Sequence, residues 1–112
     1  MKFEMKRKID ELGRIVLPID LRRYYGIENG DTIVLLPVRD GIQVAKADYF
    51  IVNQLSTEMA VVVDELGRFV MPATFRTQYH IEAKDTLCIV PHETCLLLYK
   101  EDILKEDIGN AY

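Results

Sequence analysis

The chain has 112 residues, is 49% apolar, and carries 14 Lys/Arg against 18 Asp/Glu for a net charge of −4. That apolar content argues against global disorder, and no stretch approaches the roughly 20 apolar residues that a membrane span needs. No secretory signal pattern is present, so a cytoplasmic protein with no membrane partner is expected.

Taken in chain order, residues 6–10 read as a strand and 11–13 as a tight turn, with Gly13 supplying a backbone conformation that other residues avoid. Residues 14–17 are a second strand, rich in branched side chains. Pro18 suits the start of a helix, where a missing N–H costs nothing. A helix is predicted over 19–25, anchored by Leu21 and Tyr25 four residues apart and stopped by Gly26. Asn29-Gly30-Asp31 is a turn, and residues 32–38 and 42–46 form a hairpin around Arg39-Asp40-Gly41.

The same order then returns. Asp10-Glu11-Leu12-Gly13-Arg14 recurs unchanged as Asp64-Glu65-Leu66-Gly67-Arg68, an offset of 54 residues that holds without a gap. Pro18 matches Pro72, Arg22 matches Arg76, Tyr25 matches Tyr79, Asp31 matches Asp85 and Lys46 matches Lys100. One unit has therefore been built twice. Units of about 45 residues rarely bury enough surface to fold alone, so the copies are expected to bury their apolar faces against each other. The division reads as unit one over 1–47, a linker over 48–59, unit two over 60–101 and a tail over 102–112. Phe75 and Tyr79 keep the helix anchor in unit two, and His80 replaces the capping glycine. Each half is β-β-α-β-β, giving a mostly β protein with short helices.

Cys88 and Cys95 flank a turn at residues 91–94. With His92 they make three metal ligands at a spacing that is weak for zinc, which usually takes four. Two reduced thiols that pack are expected, with no metal and no cofactor. No phosphate-binding glycine loop, nucleophile elbow or catalytic triad pattern is present, and an enzyme is not expected.

The run from Arg7 to Arg23, with D-E-L-G-R, a branched stretch ending in Pro18, paired arginines and then Gly26-Ile27 and Gly30-Asp31, resembles the AbrB family of bacterial transition-state regulators (the AbrB/MazE/SpoVT superfamily). The resemblance covers about 40 residues of unit one and a diverged equivalent in unit two. It implies a swapped-hairpin β-barrel in which two units interleave and bind duplex DNA; here the two halves would form one pseudo-dimer within the chain. The family's DNA-contacting positions fall on Arg7, Lys8, Arg14, Arg22 and Arg23. Lys6 extends the basic run. In unit two the matching positions are Val61, Val62, Arg68, Arg76 and Thr77, so Arg68 and Arg76 are secondary candidates.

Charge placement agrees with an uneven pair. Residues 1–53 hold nine Lys/Arg and eight Asp/Glu, whereas 54–112 hold five and ten. Clustered cations suit phosphate neutralisation even in an acidic protein. In the barrel that the resemblance implies, Lys6, Arg7, Lys8, Arg14, Arg22 and Arg23 would share one face. The bland alternatives stay open: Arg14 and Arg68 each follow an Asp-Glu pair and could be turn ion pairs, Arg22 could sit on a solvated helix face, and Lys6-Arg7-Lys8 could guard a strand edge. Unit two has Ala60-Val61-Val62 in that place, which suggests burial or pairing of that strand. The expected function is a DNA-binding transcriptional regulator, a repressor or global modulator associated with the nucleoid. The alternatives are an antitoxin that autoregulates its operon, gripping its toxin through the acidic tail, and an interaction module acting through unit two. A homo-oligomer is compatible with each.

Overall fold

The computed structural model describes residues 5–47 and 60–101. Unit one contributes β1 (Met5–Lys8), β2 (Arg14–Val16), α1 (Ile19–Tyr25), β3 (Thr32–Val38) and β4 (Gly41–Lys46). Unit two contributes β5 (Ala60–Val62), β6 (Arg68–Val70), α2 (Ala73–Gln78), β7 (Thr86–Pro91) and β8 (Leu96–Lys100). The protein is mostly β and antiparallel, as expected. The linker and the tail proposed as a partner-binding segment lie outside the described residues.

Strand pairing crosses between the repeats. A six-stranded sheet runs β1-β7-β8-β4-β3-β5, and a separate two-stranded ribbon joins β2 to β6. Unit one's first strand therefore lies against unit two's third, with Arg7 opposite Leu87, and unit two's first lies against unit one's third, with Val61 opposite Ile33. In the ribbon Ile15 faces Phe69. Cross-repeat bonds extend it, the Leu17 N–H donating to Gly67 at 2.9 Å and the Met71 N–H to Gly13 at 2.8 Å. The expected closed barrel is not formed. The three-residue strands β2 and β6 pair with each other instead of bridging β1 and β5, so the large sheet keeps two edges.

The core explains why units this small fold together. Ile15, Leu17, Ile33, Leu35, Phe69, Met71, Leu87 and Ile89 are all buried in one cluster drawn from both repeats. Fully burying each such side chain contributes about 1.5–3 kcal/mol, and neither copy has enough of them alone. Each helix is two turns or fewer and has no side-chain N-cap; Pro18 and Pro72 occupy the N-cap positions. Their stability must come from packing. Leu21, Tyr25 and Phe75 supply it as buried anchors, with Tyr79 half-buried.

The tyrosines also tie each helix to the other repeat. The Tyr25 hydroxyl donates to the carbonyl of His92, and the Tyr79 hydroxyl donates to the carbonyl of Val38 at 3.2 Å. Burial pushes both phenols above their ordinary pKa. At the helix ends, Gly26 adopts φ 66° as the predicted stop, and His80 takes the same role at φ 56°. Lys46 donates to the Gly26 carbonyl at 2.9 Å and Lys100 to the His80 carbonyl at 2.7 Å, which accounts for a lysine at that place in both copies.

Candidate nucleic-acid interface

The D-E-L-G-R turns are built identically. The Asp10 carboxylate accepts the backbone N–H of Leu12 at 3.0 Å and of Arg14 at 2.8 Å through Oδ1, and Arg14 Nε at 2.6 Å through Oδ2. Asp64 repeats this with Leu66 at 2.9 Å, Arg68 N–H at 2.8 Å and Arg68 Nε at 2.8 Å. Gly13 at φ 82° and Gly67 at φ 77° let the chain close the turn. The Arg14 backbone N–H holds the Asp10 carboxyl below its ordinary pKa, helped by the guanidinium, and Arg68 does the same for Asp64. The turn ion pair expected as an alternative is thus present in both copies. It engages Nε; both side chains remain partly exposed.

These turns set the ribbon's outward face. Ile15 and Phe69 point into the core, so strand alternation puts Arg14, Val16, Arg68 and Val70 on the other side. Leu12 and Leu66 stand at the turn tips, each 65% exposed. The result is an apolar stripe interrupted by arginines. Sequence reasoning missed these apolar members, because a leucine or valine beside a core run reads as core.

The helix arginines reach the same place from the opposite repeat. Arg22 Nε donates to the Leu17 carbonyl at 2.9 Å, and its guanidinium lies over Gly67, where an added Cβ would meet Nε at 2.7 Å. Arg76 Nε donates to the Met71 carbonyl at 3.1 Å and its guanidinium lies over Gly13, 3.1 Å from an added Cβ at Cζ. Arg14, Arg22, Arg68 and Arg76 are therefore gathered around one ribbon, although they come from two repeats. Arg22 does not sit on a freely solvated helix face. Arg23 is exposed on α1.

The β1 cations are placed differently. Lys6, Arg7 and Lys8 are all exposed on an edge strand. The pleat sends Lys6 and Lys8 to one side and Arg7 to the other, so they do not form one face. Lys6 pairs with Glu101 at 2.9 Å, and Arg7 Nη1 curls back to the Lys6 carbonyl at 2.7 Å. In unit two the apolar residues Ala60-Val61-Val62 form β5 and are paired with β3, one of the two alternatives expected. Both strands are paired at a sheet edge, yet Val62 is 59% exposed.

Cys88 is buried and Cys95 half-buried, and among the described residues neither is joined in a disulfide. Among the described residues no group of three or more His, Cys, Asp or Glu is arranged to hold a metal ion. Among them also, no helix is long and apolar enough to cross a membrane.

No protein-family model and no curated protein matches the chain. Among solved structures it is similar to the solution structure of PHS018 from Pyrococcus horikoshii, with a TM-score of 0.49 and 22% identity over 87% of this chain and 91% of that one.

Proposed function

We propose that this protein binds duplex DNA through the outward face of the β2–β6 ribbon, flanked by the cations of β1 and by Arg23 of α1, and that it regulates transcription by occupancy. The observation that carries this reading is the gathering of Arg14, Arg22, Arg68 and Arg76 around one ribbon by two repeats that otherwise diverge in charge. Arginine forks suit phosphates and guanine edges, and exposed leucine and valine suit thymine methyls. Lys6 and Lys8 from one side of the exposed edge strand, Arg7 from the other, and Arg23 add phosphate contacts on the unit-one side only, so the contact is two-fold at its centre and lopsided at its rim. The exchange of first strands between the repeats supports an AbrB-like swapped-hairpin pairing within the chain.

Fluorescence anisotropy with a labelled duplex from upstream of the protein's own gene, at two salt concentrations, tests the reading. Wild type should bind in a salt-sensitive way, and Arg14→Ala with Arg22→Ala should weaken binding while circular dichroism stays unchanged. Equal affinity of that folded variant would remove the ribbon from the contact.

A further inference from the structure

We propose that Asp10 and Asp64 are positioning residues that aim the guanidinium forks of Arg14 and Arg68 for base-edge readout, a role that rests on the DNA-binding reading above. Each carboxylate divides its labour. Oδ1 closes the turn by accepting two backbone N–H groups, of Leu12 and Arg14 in one copy and of Leu66 and Arg68 in the other. Oδ2 is left over from that task, and in both copies it takes Nε of the arginine, at 2.6 and 2.8 Å.

The turn does not need the second contact, since one oxygen satisfies both backbone donors. What the contact does is fix a long side chain whose rotamer freedom would otherwise be lost only when DNA arrives. With Nε engaged, the two Nη groups are the donors that remain, and they form one edge of the planar fork. The ribbon register then presents Arg14 and Arg68 on the same outward face, each opposite a valine of the other strand. A carboxylate next to an anion-binding arginine weakens attraction to any phosphate. Its presence in both copies is explained if it improves discrimination more than it costs in general affinity.

Asparagine separates the two tasks. Its amide oxygen can still close the turn, but its NH₂ faces Nε donor to donor. Asp20→Asn is the charge control: Asp20 is exposed in the first turn of α1 and removes the same unit of charge.

The experiment compares wild type, Asp10→Asn, Asp64→Asn and Asp20→Asn on two duplexes. One is the sequence that wild type enriches from a random pool; the other is its scramble. The NMR signal of the arginine Nε–H is followed in the free proteins. Asp10→Asn is expected to lose the slowly exchanging Arg14 Nε–H and to lower the selected-to-scrambled affinity ratio about tenfold, the worth of one two-pronged base contact. Its affinity for the scramble should not fall. Asp64→Asn should do the same through Arg68, and Asp20→Asn should raise both affinities in parallel. An unchanged ratio in Asp10→Asn and Asp64→Asn, with the Nε–H signal gone, would overturn the positioning role. So would an equal drop on both duplexes. If wild type binds neither duplex at low salt, the DNA reading itself falls, and this role with it.

Discussion

Neutralising β1 by Lys6→Gln, Arg7→Gln and Lys8→Gln should flatten the salt dependence of DNA binding by an amount that can be worked out in advance. All three side chains are exposed, so their removal should leave the fold intact. The ion pair of Lys6 with Glu101 is partly exposed and adds little to stability. Each phosphate contact adds about 0.9 to the log-log slope. If Lys6 stays with Glu101 when DNA binds, two contacts are lost and the slope falls by about 1.8; if it releases, the fall is about 2.7. Between 50 and 200 mM salt, wild type should therefore lose about 12-fold to about 40-fold more affinity than the triple variant. Anisotropy titrations at four salt concentrations read this directly. Parallel lines for the two proteins would show that β1 touches no phosphate, and the strand would revert to a charge-guarded edge.

Phe69→Ala removes the largest fully buried side chain of the ribbon and should cost about 3–5 kcal/mol by urea denaturation. Because the sheet and core are shared, amide signals of both repeats should vanish in one transition; separate transitions would contradict the shared core. Asp10 and Asp64 have folded pKa values below their ordinary one. Their contribution is therefore complete above about pH 3.9, the unfolded value, and is lost as pH falls through the lower folded value. The double Asp→Asn variant should show a flatter decline in thermal stability over that acid range, and an unchanged decline would refute the linkage. Gly67→Ala and Gly30→Ala both place a methyl at positive φ, but only the former meets Arg22, while nothing lies within 4 Å of the latter. Both should lose about 1–2 kcal/mol of stability. Gly67→Ala alone should also weaken DNA binding.

Local chemistry was well legible in the sequence. The helix over 19–25 and the strand over 32–38 are found at those bounds, because anchors, a stop residue and branched runs act within one turn or strand. His80 was readable as a substitute cap, since His tolerates positive φ better than branched residues do. Which copy pairs with which was not legible. The two units have nearly the same strands, so β1 would match the hydrophobic pattern of β3 as readily as that of β7, and only the closed core decides. For the same reason the seat of Arg22 on Gly67 was hidden: it joins residues in different repeats. The Asp10–Arg14 and Asp64–Arg68 pairs were visible as alternatives, because the spacing puts both ends on one turn. The pleat of β1 parts Arg7 from Lys6 and Lys8, which a run of adjacent cations in the sequence does not display.

Titrating the ¹⁵N-labelled protein with a duplex from upstream of its gene, followed by amide and arginine side-chain NMR, tests the account most directly. Shifts should concentrate at residues 6–8, 12–16 and 66–70 and at the helix arginines Arg22, Arg23 and Arg76, in both repeats. The hairpin ends at 38–41 and 91–95 should stay still. Shifts confined to those hairpin ends, or none at low salt, would contradict a DNA-binding ribbon.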